Sequence, residues 1–128
     1  MSKKHSSRFL SLVDSAKATI PEFTVGQVRA LLDSDEPCVV VDVREHHEWS
    51  AGHIEGAVHL SKGVIERDIE QTVPDPNTLM VLYCGGGYRS ALAAAALQAM
   101  GYAQAASMAG GWREWVATSG SKAEPKRR

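Results

Sequence analysis

With only two cysteines, Cys38 and Cys84, in 128 residues, the chain has no disulfide framework to organise it. It has no apolar run near the about 20 residues that a helix needs to cross a bilayer, so a membrane span is excluded. Net charge is also missing. Fourteen basic against 15 acidic residues leave a formal value of -1, which offers nucleic acid no electrostatic footprint. Asp14 interrupts the short run Phe9–Val13, so no secretory leader is read there and a reducing cytoplasm is the expected location. His46, His47 and His59 stand at no ligand spacing from a cysteine; they are expected at the surface or in packing, and no metal is expected. No internal repeat is visible.

What is present is a loop. The apolar stretch Leu79-Met-Val-Leu-Tyr83 reads as a buried parallel strand. It delivers Cys84 into Gly85-Gly86-Gly87-Tyr88-Arg89-Ser90, and an alanine-rich helix follows as far as Gly101. Three effects then favour the thiolate of Cys84. The helix start supplies unpaired amides and a positive dipole end. The three glycines let the chain take left-handed conformations and curl its amides into an anion nest. Arg89 adds a permanent cation. A cysteine so placed commonly titrates between roughly 3.5 and 7.5 rather than near 8.5. An inert core cysteine, the ordinary alternative, needs none of these neighbours.

The rest of the chain alternates. Thr24 caps a helix through Leu32, a strand begins at Cys38, which fills core space, Ser61 or Lys62 opens a helix toward Ile69, and Val73–Asn77 turns. This pattern predicts an α/β fold in three layers, a mostly parallel central sheet with helices on both faces. Residues 1–19 read as an N-terminal helical extension, with Phe9, Leu10, Leu12, Val13 and Ala16 at helical spacing. Packing across the domain is its first expected role; forming a homodimer or docking a partner is the second. Residues 20–119 make the main domain, and 120–128, containing Lys122-Ala-Glu-Pro-Lys126-Arg-Arg, a flexible basic tail.

Four ordered segments carry a family likeness. Cys84-Gly-Gly-Gly87-Tyr-Arg89-Ser90 resembles the active-site loop of the rhodanese sulfurtransferases, of the single-domain kind. Asp42-Val-Arg44 and Gly52-His53-Ile54-Glu-Gly56-Ala57 resemble that family's upstream signatures, and Gly110-Gly111-Trp112-Arg-Glu-Trp115 its closing one. The resemblance covers residues 20 to 118. It implies a rhodanese-like domain that moves a sulfane sulfur from thiosulfate or a persulfide donor to a thiol or cyanide acceptor, through a persulfide on Cys84. In that reading the amides of Gly85, Gly86, Gly87, Tyr88, Arg89 and Ser90 hold the charged sulfur, Arg89 orients the loop, and the Ser90 hydroxyl caps the helix or donates toward sulfur. The partners implied are small-molecule or protein sulfur donors and acceptors, and no cofactor is needed.

Two rivals remain at this stage. Cysteine phosphatases and arsenate reductases also close an amide cradle with arginine, but their loop is one residue longer and a histidine precedes the cysteine; here four residues separate Cys84 from Arg89, and Tyr83 precedes it. A rhodanese-shaped interaction module without catalysis would usually have lost the cysteine or the arginine. The loop's lack of extra cations lowers its attraction for a dianion such as thiosulfate and favours a persulfide donor. Tyr88 either walls the site or packs under the following helix. Asp42 and Arg44 support the site, chiefly by tying loops at the strand end, and His53 is a turn histidine bonded to backbone.

Overall fold

The computed structural model describes residues 5–119. Five strands, β1 (Glu22–Phe23), β2 (Val39–Asp42), β3 (Val58–His59), β4 (Met80–Tyr83) and β5 (Ala105–Met108), form one sheet in the order β1-β5-β4-β2-β3. Every pairing is parallel. The register sets Val81 beside Val40 and Ala106, and Leu82 beside Val41 and Ser107. β4 therefore lies between two full-length neighbours, with all four of its residues buried, as its unbroken apolar run requires.

Alternation along β4 feeds two cores. Met80 and Leu82 join one cluster with Val41, Ile65, Ile69, Ala94 and Leu97; Val81 and Tyr83 join the other with Val25, Val28, Val40 and Met108. The helices that cover the sheet are α1 (Ser7–Lys17), α2 (Val25–Asp33), α3 (His46–Ala51), α4 (Ile65–Thr72), α5 (Tyr88–Ala99) and α6 (Gly111–Ala117). Thr24 caps α2 in a reciprocal box with Gln27, matching the sequence reading.

Two boundaries differ from expectation. α4 opens at Ile65 rather than at Ser61 or Lys62, because residues 61–64 turn first, closed by the Val64 N–H to the Ser61 carbonyl. Its apolar spacing begins only with Ile65 and Ile69, and Glu66 and Asp68 then suit the helix's positive end. Cys38 precedes β2 and is half-buried rather than a core filler; burial and nearby Glu36 push its thiol up. The tail expected at 120–128 lies outside the described residues.

α1 settles on α5, burying Val13 and Ala16 with Phe9 partly covered. Ser6 caps it by accepting from the Phe9 amide. The first expectation for this extension, packing across the domain, is thus met. Because the strands run parallel, the loops after β2, β4 and β5 all emerge at one edge, where ligands bind in open α/β sheets.

Candidate active site

Cys84 follows β4 directly, and the chain from Gly85 to Gly87 bends it into α5. Of the three loop glycines, Gly87 is the one that uses the left-handed region, at φ 97°. That one turn is enough to reverse the peptide plane and aim the amides of the new helix's start at sulfur. Gly87 N–H reaches Cys84 Sγ at 3.2 Å and Ser90 N–H at 3.3 Å. Ser90 Oγ lies 3.5 Å from Sγ. The expected helix cap is not what this hydroxyl makes: Gly87 is the cap position, without a side-chain bond, and Ser90 points into the site.

Burial alone pushes the Cys84 thiol up. The hydrogen bonds of the Ser90 hydroxyl and of the Ser90, Gly86 and Gly87 amides outweigh it, and the thiol titrates below the ordinary cysteine range. Behind Ser90 stands Ser107, fully buried on β5, with its Oγ 2.8 Å from Ser90 Oγ. Ser107 was not singled out from sequence. Its signal was a hydroxyl alone in an otherwise apolar buried strand, Ala105-Ala-Ser107-Met108.

The loop's carbonyls are held as firmly as its amides. Trp112 N–H donates to the Cys84 carbonyl at 2.7 Å and Arg113 N–H to that of Gly85 at 3.1 Å, so the loop caps α6, which has no side-chain cap. A Cβ on Gly111 would sit 2.5 Å from the Cys84 carbonyl oxygen, and φ there is +60°. The Gly110-Gly111-Trp112 segment is therefore the floor on which the cysteine loop rests.

Arg89 does not stand free. Its guanidinium makes two bonds to the Glu48 carboxylate, at 3.1 and 3.3 Å. Burial raises the Glu48 carboxyl, but the Arg89 hydrogen bond, the Glu45 backbone amide and the charges of Arg89 and Arg44 together outweigh it, leaving it below the usual range. Arg113, missed from sequence, extends over the other side: its Nη1 comes within 3.1 Å of where a Gly86 side chain would begin. Among the described residues its guanidinium has no ion pair or hydrogen bond.

Cys84 is nearly covered, at 1% exposed. Access runs through a cavity of about 650 Å³ that reaches Cys84, Gly85 and Gly86 at its base. Tyr88 walls this cavity and packs against His5 and Phe9 of the N-terminal segment, while also touching the core that α5 covers.

Asp42 and Arg44 stay out of it. Both are buried; the Asp42 carboxylate accepts from the Arg44 amide and guanidinium at 2.7 to 3.1 Å, and Arg44 also donates to the Gly52 carbonyl. They tie the β2 end to the turn after α3. His53 donates from Nδ1 to the Trp49 carbonyl and stacks on that ring, as a turn histidine should. His59 bonds the Arg44 carbonyl, a packing role. Tyr83, where phosphatases have histidine, faces the opposite core and accepts from the Ile54 amide. No group of three or more metal-ligating side chains occurs among the described residues.

Residues 24–118 match the family described as Rhodanese-like domain. The thiosulfate sulfurtransferase GlpE of Pseudomonas entomophila is 38% identical over 90 residues, covering 70% of this chain and 81% of that protein. A putative sulfur carrier protein of Bacillus subtilis, YrkF, is 31% identical over 99 residues, or 77% of this chain; the chain spans about half (52%) of that relative's length. Among solved structures, a Rhodopseudomonas palustris protein described as a possible tyrosine phosphatase superposes with a TM-score of 0.76 at 32% identity, over 90% of this chain and 93% of that one.

Proposed function

From the finding that the chain belongs to the rhodanese-like domain family, we propose that Cys84 is the nucleophile of a sulfurtransferase and carries the transferred sulfur as a persulfide. The observation behind this reading is the convergence of the Gly87 and Ser90 amides on one sulfur that titrates below its ordinary range. The Cys84 thiolate attacks the outer sulfur of thiosulfate or of a persulfide. The donor's S–S bond breaks, sulfite or a thiolate leaves with the electron pair, and a Cys84 Sγ–S bond forms. A thiolate or cyanide then attacks the outer sulfur, departs with it, and restores the Cys84 thiolate.

Each loop residue has a part in this scheme. The amides of Gly86, Gly87 and Ser90 and the Ser90 hydroxyl stabilise negative charge on sulfur before and after transfer. Gly85 leaves the mouth clear, Tyr88 forms its wall, and Arg89, tied to Glu48, fixes the loop. Asp42 and Arg44 support the fold at the β2 end, outside the cavity. No cofactor takes part. Residues 20–119 form the catalytic domain with 1–19 as its extension, and a reducing compartment such as the cytoplasm keeps the thiol available.

The four-residue spacing between Cys84 and Arg89 disfavours a phosphatase, whose cradle needs one residue more to surround a phosphoryl group. Intact mass after incubation with thiosulfate, and separately with a persulfide, tests the proposal. One added sulfur atom is expected, removable by cyanide or a dithiol and lost in Cys84→Ser. Turnover of a phosphoryl substrate that depends on Cys84, without sulfur loading, would reverse the assignment.

A further inference from the structure

The cavity above Cys84 is far larger than an inorganic sulfur anion requires. Its 650 Å³ fall within the about 300–1,000 Å³ typical of sites for organic ligands, against about 30 Å³ for one water. Its two sides differ in chemistry. One is aromatic: the His5 ring lies 4.5 Å from that of Tyr88 and 5.3 Å from that of Phe9. α1 brings Phe9, and His5 lies just ahead of that helix, so the N-terminal segment builds part of the site wall.

The other side carries charge, but little of it is available. Arg89 is paired with Glu48, which leaves Arg113 as the cavity guanidinium with no ion pair or hydrogen bond among the described residues. A guanidinium grips a carboxylate in a two-pronged contact. The apolar rings would remain unused by an inorganic donor. They suit the carbon skeleton of an organic one.

We propose that this cavity binds the persulfide of a carboxylate-bearing organic thiol, its carboxylate on Arg113, its body against His5, Phe9 and Tyr88, and its outer sulfur over Cys84. This rests on the sulfurtransferase reading and names the donor for it. In the step, the Cys84 thiolate bonds to the outer sulfur as the donor's S–S bond breaks. The departing thiolate takes the electron pair, and any proton on the outer sulfur travels with it.

Sulfur loading of the full chain, measured against concentration for three donors, tests the assignment: glutathione persulfide, the uncharged persulfide of 2-mercaptoethanol, and thiosulfate. Glutathione persulfide is expected to give the highest kcat/KM. Arg113→Gln should raise its KM by about tenfold, the size of one charge-assisted contact, with kcat unchanged and the 2-mercaptoethanol persulfide unaffected. His5→Ala, near the chain end and outside every helix, should raise the KM of both organic persulfides and leave thiosulfate alone. Equal effects of Arg113→Gln on all three donors, or a kcat/KM for thiosulfate that matches or exceeds that of glutathione persulfide, overturns the donor assignment while leaving sulfur transfer intact. If no donor loads Cys84 in the wild-type chain, the sulfurtransferase reading fails and the donor assignment with it.

Discussion

Ser90 and Ser107 share a buried hydrogen bond of 2.8 Å between hydroxyls, and Ser90 alone of the two also reaches the Cys84 sulfur. Each hydroxyl has one proton to give. When Cys84 is a thiolate, Ser107 donates to Ser90 and Ser90 to sulfur, so every proton in the chain is used. When Cys84 is a thiol, it donates to Ser90 and Ser90 to Ser107, whose own proton is left without an acceptor in the bonding described. The pair therefore favours the ionised sulfur.

Replacing Ser107 by Ala is expected to raise the pH at which the Cys84 thiolate absorbance appears. Alkylation at neutral pH should slow by about threefold, the worth of one ordinary hydrogen bond. Ser107→Thr should restore both. An unchanged titration in Ser107→Ala would remove Ser107 from the site.

Because the folded-state Cys84 thiol titrates below its ordinary value of about 8.5, ionisation favours the native state. That contribution is complete above the unfolded value and disappears as pH falls through the folded one. The stability lost in Cys84→Ala should thus be greater near about pH 9 than in mild acid. Denaturant midpoints of both proteins across this window measure it, and the raised thiol of Cys38 cancels because both contain it. A loss that does not vary with pH would contradict the lowered thiol.

Gly111→Ala places a methyl 2.5 Å from the Cys84 carbonyl oxygen at a left-handed φ. A destabilisation of about 2 kcal/mol or more is expected from the backbone strain and the clash together. Sulfur loading per folded molecule should drop as well, since the loop loses its floor. Urea titration alongside intact mass separates the two effects.

Removing Arg44 leaves the fully buried Asp42 carboxylate without its cation. Arg44→Met should cost about 3–5 kcal/mol by denaturant unfolding. Loading of the molecules that remain folded should be close to wild type, because neither residue lines the cavity. A selective loss of loading would instead give the pair a direct part in chemistry.

Glu48→Gln frees the Arg89 guanidinium from its partner. The pair is partly exposed, so stability should change by no more than about 1 kcal/mol. The KM for thiosulfate, by contrast, should fall by about threefold at low salt and return toward wild type as salt is added, since an exposed cation attracts a dianion through a screened field. Steady-state rates at two ionic strengths read this out.

The alternation of apolar strands with helical segments, the Thr24 cap and the placement of Cys84 between a buried strand and a helix were all legible from local pattern. α4's start was not, because the turn at residues 61–64 depends on where Ile65 and Ile69 meet the sheet. Glu48, Arg113 and Ser107 were also beyond reach of spacing. Each meets the Cys84 loop from a distant part of the chain, Glu48 across 41 residues from Arg89 and Ser107 across 17 from Ser90.

Taken alone, the residue order determined that a cysteine would leave a buried strand into a glycine loop and start a helix, because strand, turn and helix preferences act over a few neighbours. Tertiary structure decided the rest. Only the parallel register of β4 with β5 sets Ser107 behind Ser90, only α6 supports the loop carbonyls, and only the docking of α1 on α5 turns a cysteine loop into a walled cavity. Those contacts join segments far apart in the chain, and burial of the two cores, not local preference, holds them together.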